Sequence, residues 1–182
     1  MMPILKTIYP NPDSYLFVRV PRTGSTSICN ALHKPTEHRT AQEWLGMLPD
    51  FASRYKFTIV RHPYDRFLSL FYFFGVFLTS NKDPNDFLTG GDLQKAITAE
   101  PLITRPQHEY ICDQSGRVLV DYVGRYETLQ ESWKVISGRL NVDEVLPLMR
   151  SCLYEKVPLN DASKAVIYEV YRKDFELFNY QP

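Results

Sequence analysis

Three groups of residues in this chain are of a kind and spacing that can do chemistry together. The first is the run Arg22-Thr23-Gly24-Ser25-Thr26-Ser27, small and hydroxylated and led by a cation. A tight loop of that composition turns several backbone N–H groups toward one spot. With a helix start behind it, that spot suits a phosphate or a sulfate. The second group is Arg61 and Ser69. An arginine at a strand end and a serine about two turns along the following helix can hold one phosphate from two sides. The third is His38, in Glu37-His38-Arg39-Thr40, a side chain able to accept a hydroxyl proton near neutral pH. Two anion-binding groups at neighbouring strand ends suit a nucleotide that carries phosphate at both extremities.

Each group has a plainer reading when taken alone. The loop has one glycine, Gly24, and lacks the second glycine and Lys of a Walker A sequence. It then reads as a strand-to-helix turn with Ser or Thr as N-cap. Arg61 can pair with Asp65 while Ser69 packs in a helix groove. His38 can be a surface histidine beside Glu37.

The elements that must position these groups are legible as patterns. Tyr15, Phe17, Val18 and Val20 make a buried strand that Pro21 ends, and Ile28, Ala31 and Leu32 recur at helical spacing. Residues 56–60 form a second strand, followed by a polar turn and a long apolar helix over 67–78. Two successive strand–turn–helix units predict a parallel sheet with crossover helices. Thr40 is positioned to cap a helix over 41–48, with Glu43 at the capping-box position, an apolar face of Leu45 and Leu48, and Pro49 as its stop. Lys34-Pro35 closes the helix before it. Residues 79–91 and 104–109 read as loop, with a short helix over 92–99. Residues 110–112 and 118–120 read as a hairpin around Gly116, and 121–127 as a third strand. Thr128 caps a helix to about Leu140, and turns fill 141–160. A last helix over 162–178 has Val166, Val170, Phe175 and Phe178 inward and Tyr168, Tyr171 and Lys173 at other angles. Residues 1–14, with three prolines, form an extended lead-in, and no linker divides residues 1–182 into separate domains.

Composition narrows the function classes. Among 182 residues, Lys and Arg balance Asp and Glu, so an anion site must be local, and a nucleic-acid partner is not indicated. Aromatics reach 14%, so core and pocket should be rich in rings. The greasiest run, 67–78, is too short to span a bilayer, and no leader or lipidation pattern is seen, so a cytoplasmic location is expected. Cys29, Cys112 and Cys152 form no CxxC pair and suggest neither a disulfide framework nor a zinc site. Oligomeric state stays open.

At this point the motifs resemble those of the PAPS-dependent sulfotransferases, in the carbohydrate and bacterial branch called sulfotransferase family 2. VPRTGSTSI is similar to that family's 5′-phosphosulfate loop, P-K-T-G-G/S-T-S. FTIVRHPYDRFLSLFYF is similar to its 3′-phosphate motif, F-x-x-V-R-D/N-P-x-D/E-R-x-x-S. RPQHEYICDQSGRVLVDYVGRYETL resembles a later segment of the branch, and YEVYRKDFELFNY its closing helix; the likeness spans about residues 15–180.

The resemblance implies an α/β fold, P-loop-like and three-layered, with a central mainly parallel sheet flanked by helices. It implies PAPS as sulfuryl donor, PAP as product, in-line displacement by an acceptor hydroxyl, and no metal. Carried onto this chain, Arg22, Thr23, Gly24, Ser25, Thr26 and Ser27 would hold the 5′ end. Arg61 and Ser69 would hold the 3′-phosphate, and Tyr126 would meet adenine. His38 would be the base, with His108 or Glu109 as second choices. Arg105 and Arg125 are candidates to face the acceptor or the 3′-phosphate, and Lys164 is a weaker one. Two departures stand out: Arg22 replaces the usual Lys, and His62 replaces an Asp or Asn and reads as structural. His33, near a helix end, reads as bland. The implied acceptor is a small molecule or carbohydrate lined by residues 79–109. Competing readings are a non-catalytic nucleotide-binding protein and a divergent P-loop kinase.

Overall fold

The computed structural model describes residues 11, 13–33, 37–78, 83–143, 145–147 and 157–182, with side chains left aside at 74–78 and 103. The expectations for residues 1–10 of the lead-in, Lys34-Pro35, 79–82 and 148–156 with Cys152 lie outside the described residues.

The elements are β1 (Tyr15–Phe17), α1 (Ser25–Ala31), α2 (Ala41–Met47), a 3-10 turn (Phe51–Ser53), β2 (Tyr55–Val60) and α3 (Pro63–Leu78), then α4 (Pro84–Thr89), α5 (Asp92–Ala99), α6 (Pro101–Thr104), α7 (His108–Ile111), β3 (Tyr122–Arg125), α8 (Leu129–Leu140) and α9 (Asp161–Leu177). The sheet runs β1-β2-β3, and both pairings are parallel, with Phe17 beside Phe57 and Ile59 beside Gly124. Parallel neighbours need crossovers, and those crossovers put helices on the sheet faces. Period-two alternation along the strands divides the core accordingly. Tyr15, Phe57 and Ile59 pack with Ile28 of α1 and Trp133 and Ile136 of α8. Leu16, Val18 and Val60 pack with Phe67 and Leu68 of α3 and Ile167 and Phe175 of α9. This is an α/β fold with a parallel sheet between helices, as the residue patterns and the family resemblance both predict.

Close packing of α8 on β3 requires Gly124. A Cβ there would come within 2.6 Å of Ile59 Cδ1 and 2.8 Å of Ser132 Cβ. Ser132 Oγ in turn accepts from the Arg125 N–H at 2.9 Å, which fixes the end of β3.

Several local expectations are corrected. Within 79–91, residues 84–89 are helical: Asp83 accepts from the Asn85 N–H at 2.7 Å and Pro84 occupies the first turn. Asp and Pro, read as loop formers, are also the residues that start a helix. Within 104–109, α6 ends at Thr104 and α7 begins at His108. Tyr110 and Ile111 lie in α7, so the expected hairpin is reduced to one antiparallel bridge, Cys112 with Val118, around Gly116 at φ +86°. Leu45 is exposed, and Trp44 packs with Leu48 instead. Thr128 stands at the N-cap of α8, but its side chain makes no capping bond. Tyr171 is buried and its hydroxyl donates to the Thr104 carbonyl at 2.8 Å. The backbone at Tyr171 leaves helical geometry, at φ −111° and ψ 22°, yet Ser163, Ile167, Tyr171, Asp174 and Phe178 stay buried at helical spacing through it. The Thr40–Glu43 capping box forms as expected.

Candidate functional site

The polar residues that follow each of the three strands meet at one end of the sheet. After β1, the chain turns sharply because Arg22 and Gly24 both take left-handed backbone, at φ +67° and +77°. Gly24 tolerates this and has no room for a side chain: a Cβ would lie 3.0 Å from Leu129 Cδ2 and from Tyr126 Cδ2. Arg22 carries a Cβ, so its conformation costs about 1–2 kcal/mol that the surrounding contacts must offset. Two such contacts lie below the loop. Thr23 Oγ1 donates to the Val20 carbonyl at 2.9 Å, and the buried Arg66 donates from Nε to the Pro21 carbonyl at 3.1 Å. Gly24, not Ser or Thr, is the N-cap of α1, with no side-chain cap.

After β2, Arg61 is only 8% exposed. One of its terminal nitrogens donates to the Arg22 carbonyl at 3.3 Å, and its guanidinium lies 4.1 Å above the Tyr126 ring. It turns to these groups instead of to Asp65. Its Nε is buried and has no hydrogen-bond partner among the described residues. A buried donor left bare costs about 1–3 kcal/mol, which cancels much of the ~2 kcal/mol a desolvated cation–π contact supplies. From α3, Ser69 Oγ accepts from Arg22 Nε at 3.1 Å, and Phe73, one turn further, lies 4.0 Å beneath the Arg22 guanidinium. After β3, the Tyr126 N–H bonds the Val60 carbonyl at 2.8 Å, which sets its ring against Gly24 and Arg61. Arg22, Gly24, Arg61, Ser69 and Tyr126 thus form one contiguous group.

Arg19 extends the group, and residue patterns alone do not single it out. It is a buried arginine whose Nε donates to Ser25 Oγ at 3.0 Å and whose terminal nitrogen donates to Thr26 Oγ1 at 3.1 Å. Each hydroxyl accepts with a lone pair, so its own O–H proton remains available to a further acceptor. The signal was present in the sequence as a charge inside an apolar strand run, Val18-Arg19-Val20. Burial lowers the Arg19 pKa from its ordinary value, but a guanidinium stays charged at any working pH.

His38 joins through the same residue. Its Nδ1 lies 3.2 Å from the Arg19 carbonyl, which can only accept. The proton therefore sits on Nδ1, and Nε2 presents a lone pair. Burial pulls the imidazole below its ordinary 6.5, and the Arg19 charge adds to this, against the opposing hydrogen bond to the Arg19 carbonyl. The neutral, proton-accepting form is favoured at pH 7. Ser27 is buried in the first turn of α1.

Other candidates are engaged elsewhere. His62 is packed among Tyr64, Phe175 and Tyr180, its ring nitrogen 3.0 Å from the Gln181 carbonyl and its N–H bonded to Glu127 at 2.6 Å. His108 Nδ1 is 2.8 Å from Asp174 Oδ1. Arg125 donates to the Phe178 carbonyl and lies over Tyr180. Arg105 donates from Nε to the Pro101 carbonyl at 3.0 Å. Glu109, Lys164 and His33 are exposed. Among the described residues no group of three His, Cys, Asp or Glu is arranged to hold a metal ion, and no helix is long and apolar enough to cross a membrane.

This arrangement has the layout of a group-transfer site: loop amides and hydroxyls at one strand end, a buried cation at the next, and a neutral imidazole beside the loop. The model of the sulfotransferase family matches residues 7–181, and the chain belongs to that family. Membership supports sulfuryl transfer as the general activity. No curated protein and no solved structure matches the chain.

Proposed function

We propose that the protein transfers the sulfuryl group of PAPS to an acceptor hydroxyl on a small molecule or carbohydrate and releases PAP. The observation that carries this reading is Arg61, a buried guanidinium whose Nε has no partner among the described residues, held against the loop Arg22–Ser27. A phosphate oxygen is the natural acceptor for such a donor. Arg61 and Ser69 hold the 3′-phosphate, and Tyr126 offers its ring to the adenine. The backbone of Thr23 to Ser27 and the hydroxyls of Ser25, Thr26 and Ser27 hold the 5′-phosphosulfate. For Thr23 the contribution is through backbone alone, since its hydroxyl is bonded to Val20.

PAPS, when bound, supplies the sulfuryl group. His38 Nε2 takes the proton from the acceptor hydroxyl as the oxygen–sulfur bond forms, and Arg22 neutralises the negative charge that grows on the departing phosphate as its bond to sulfur breaks. Arg22 does this as a fixed charge. It does not give up a proton, unlike the lysine usual at this position.

The direct test is transfer of labelled sulfate from PAPS to a panel of sugar and phenol acceptors, with wild type and Arg22→Ala compared. Transfer by the wild type that falls on the order of a hundredfold in Arg22→Ala supports the reading. Tight PAP binding without transfer to any acceptor would make the chain a nucleotide-binding protein and overturn it.

A further inference from the structure

Gln107 is 0% exposed, deep enough that an unpaired amide there would be costly. Both ends of its side chain bond one backbone residue. Oε1 accepts from the Arg61 N–H at 2.9 Å, and Nε2 donates to the Arg61 carbonyl at 2.8 Å. An amide side chain placed this way stands in for a neighbouring strand. It continues the ladder of β2 one residue beyond Val60, where the sheet partner Arg125 ends. Gln107 is itself held from behind. Its N–H donates to Asp174 Oδ2 at 2.7 Å, and the other oxygen of Asp174 accepts from the His108 N–H at 2.8 Å and lies 2.8 Å from His108 Nδ1. Asp174 is 0% exposed and lies on α9.

We infer that Gln107 is a positioning residue for Arg61: with Asp174 behind it, it fixes the Arg61 backbone and so aims the guanidinium at the 3′-phosphate of the nucleotide. This rests on the PAPS reading above. Within Arg61, the backbone is clamped by hydrogen bonds on both its N–H and its carbonyl, whereas among the described residues the side chain has one 3.3 Å bond and a ring face. The direction of the guanidinium is therefore set at Cα. A rotation there of a few degrees moves the tip of so long a side chain by a large part of an ångström. Charge-assisted hydrogen bonds are steeply sensitive to such misplacement.

The role has a readout that a merely structural one does not move, the preference for PAP over AMP, which lacks the 3′-phosphate. Calorimetric titration of wild type should show PAP binding on the order of ten- to a hundredfold tighter than AMP. In Gln107→Met, near in volume, both hydrogen bonds to the Arg61 backbone are lost. PAP should then bind within about threefold of AMP, with AMP affinity unchanged. Gln107→Leu serves the same comparison if the Met variant does not fold. In wild type, the Gln107 side-chain amide protons should shift in NMR spectra on adding PAP and not on adding AMP. A variant that keeps the full preference, or amide protons that respond equally to both nucleotides, overturns the inference alone. A wild type with no preference overturns it together with the 3′-phosphate assignment.

Discussion

Arg61 and His38 carry the residue-scale expectations, and they act through opposite properties. Arg61 is charged, buried and incompletely partnered. Arg61→Ala should weaken PAP by about 1.5–3 kcal/mol, roughly ten- to a hundredfold, because a charge-assisted contact is lost. Thermal stability should change by only a few degrees, since among the described residues the guanidinium makes a single hydrogen bond, at 3.3 Å. Loss of folding with PAP affinity intact in the folded fraction would make Arg61 structural. His38 is neutral because burial, with the Arg19 charge adding to it, outweighs the bond to the Arg19 carbonyl. Its folded pKa lies below 6.5, so at higher pH the ring is neutral in both folded and unfolded chains and contributes nothing to pH-dependent stability. As pH falls through 6.5 the unfolded chain takes up the proton first, and stability declines until folded His38 protonates too. The acid limb of kcat/KM should likewise lie below pH 6.5, and His38→Ala should depress turnover at every pH while PAP affinity holds. An acid limb above that value, or unchanged turnover in the variant, moves the base elsewhere.

At the scale of elements, the strand ends aim the site and a few contacts aim the strand ends. Gly124 sits where β3 and α8 touch, and Tyr126 follows two residues on. Gly124→Ala should cost about 1–3 kcal/mol by overpacking against Ile59 and Ser132, and should weaken PAP by displacing Tyr126. A variant with wild-type melting and wild-type PAP affinity would show that α8 yields freely. The capping box of α2 lies beside His38 in sequence, and Thr40→Ala should lower stability by about 1 kcal/mol, measurable by urea titration. The capping box was legible beforehand, since a Thr three residues before a Glu has a local meaning; the close packing at Gly124 was not, because it depends on what α8 brings against β3. The helix at Pro84–Thr89 was not, because Asp-Pro-Asn starts a helix or a turn depending on what packs behind it, and here Phe87 and Leu88 are buried. Tyr171 escaped for a related reason: the inward stripe of α9, Ser163, Ile167, Tyr171, Asp174 and Phe178, includes polar residues, so the apolar pattern alone points to the wrong face.

Across the whole molecule, the far C-terminal residues close over the back of the site. Tyr180 donates to Glu127 at 3.0 Å, the Phe178 carbonyl accepts from Arg125, and Gln181 accepts at His62. Burial first, and the Glu127 carboxylate second, push the Tyr180 phenol far above its ordinary value, so it stays a donor. Glu127 is thereby shared between the C-terminus and the backbone after Arg61. Ligand binding to one strand-end cluster tied to both halves of the core should stabilise the fold globally. PAP at a hundred times its Kd should add about 2.7 kcal/mol and raise Tm on the order of 5–10 °C with chelator present. No shift at millimolar PAP would remove the nucleotide reading.

The sequence by itself determined the local facts: which runs are strands, where Pro21 and Gly24 force a turn, and that the Arg22 loop and the Arg61–Ser69 pair resemble one family's phosphate motifs. Those follow from properties each residue carries into any context, such as side-chain period, permitted backbone angles and charge. Only tertiary structure decided that Arg19 reaches back to Ser25 and Thr26, that His38 shares its proton with the Arg19 carbonyl, and that Gln107 clamps Arg61 from 46 residues away. A buried polar group takes whichever partner folding leaves within reach; for His38 and Gln107 that partner comes from a distant segment, and for Arg19 from the loop that follows it, once the loop has turned back over the strand end.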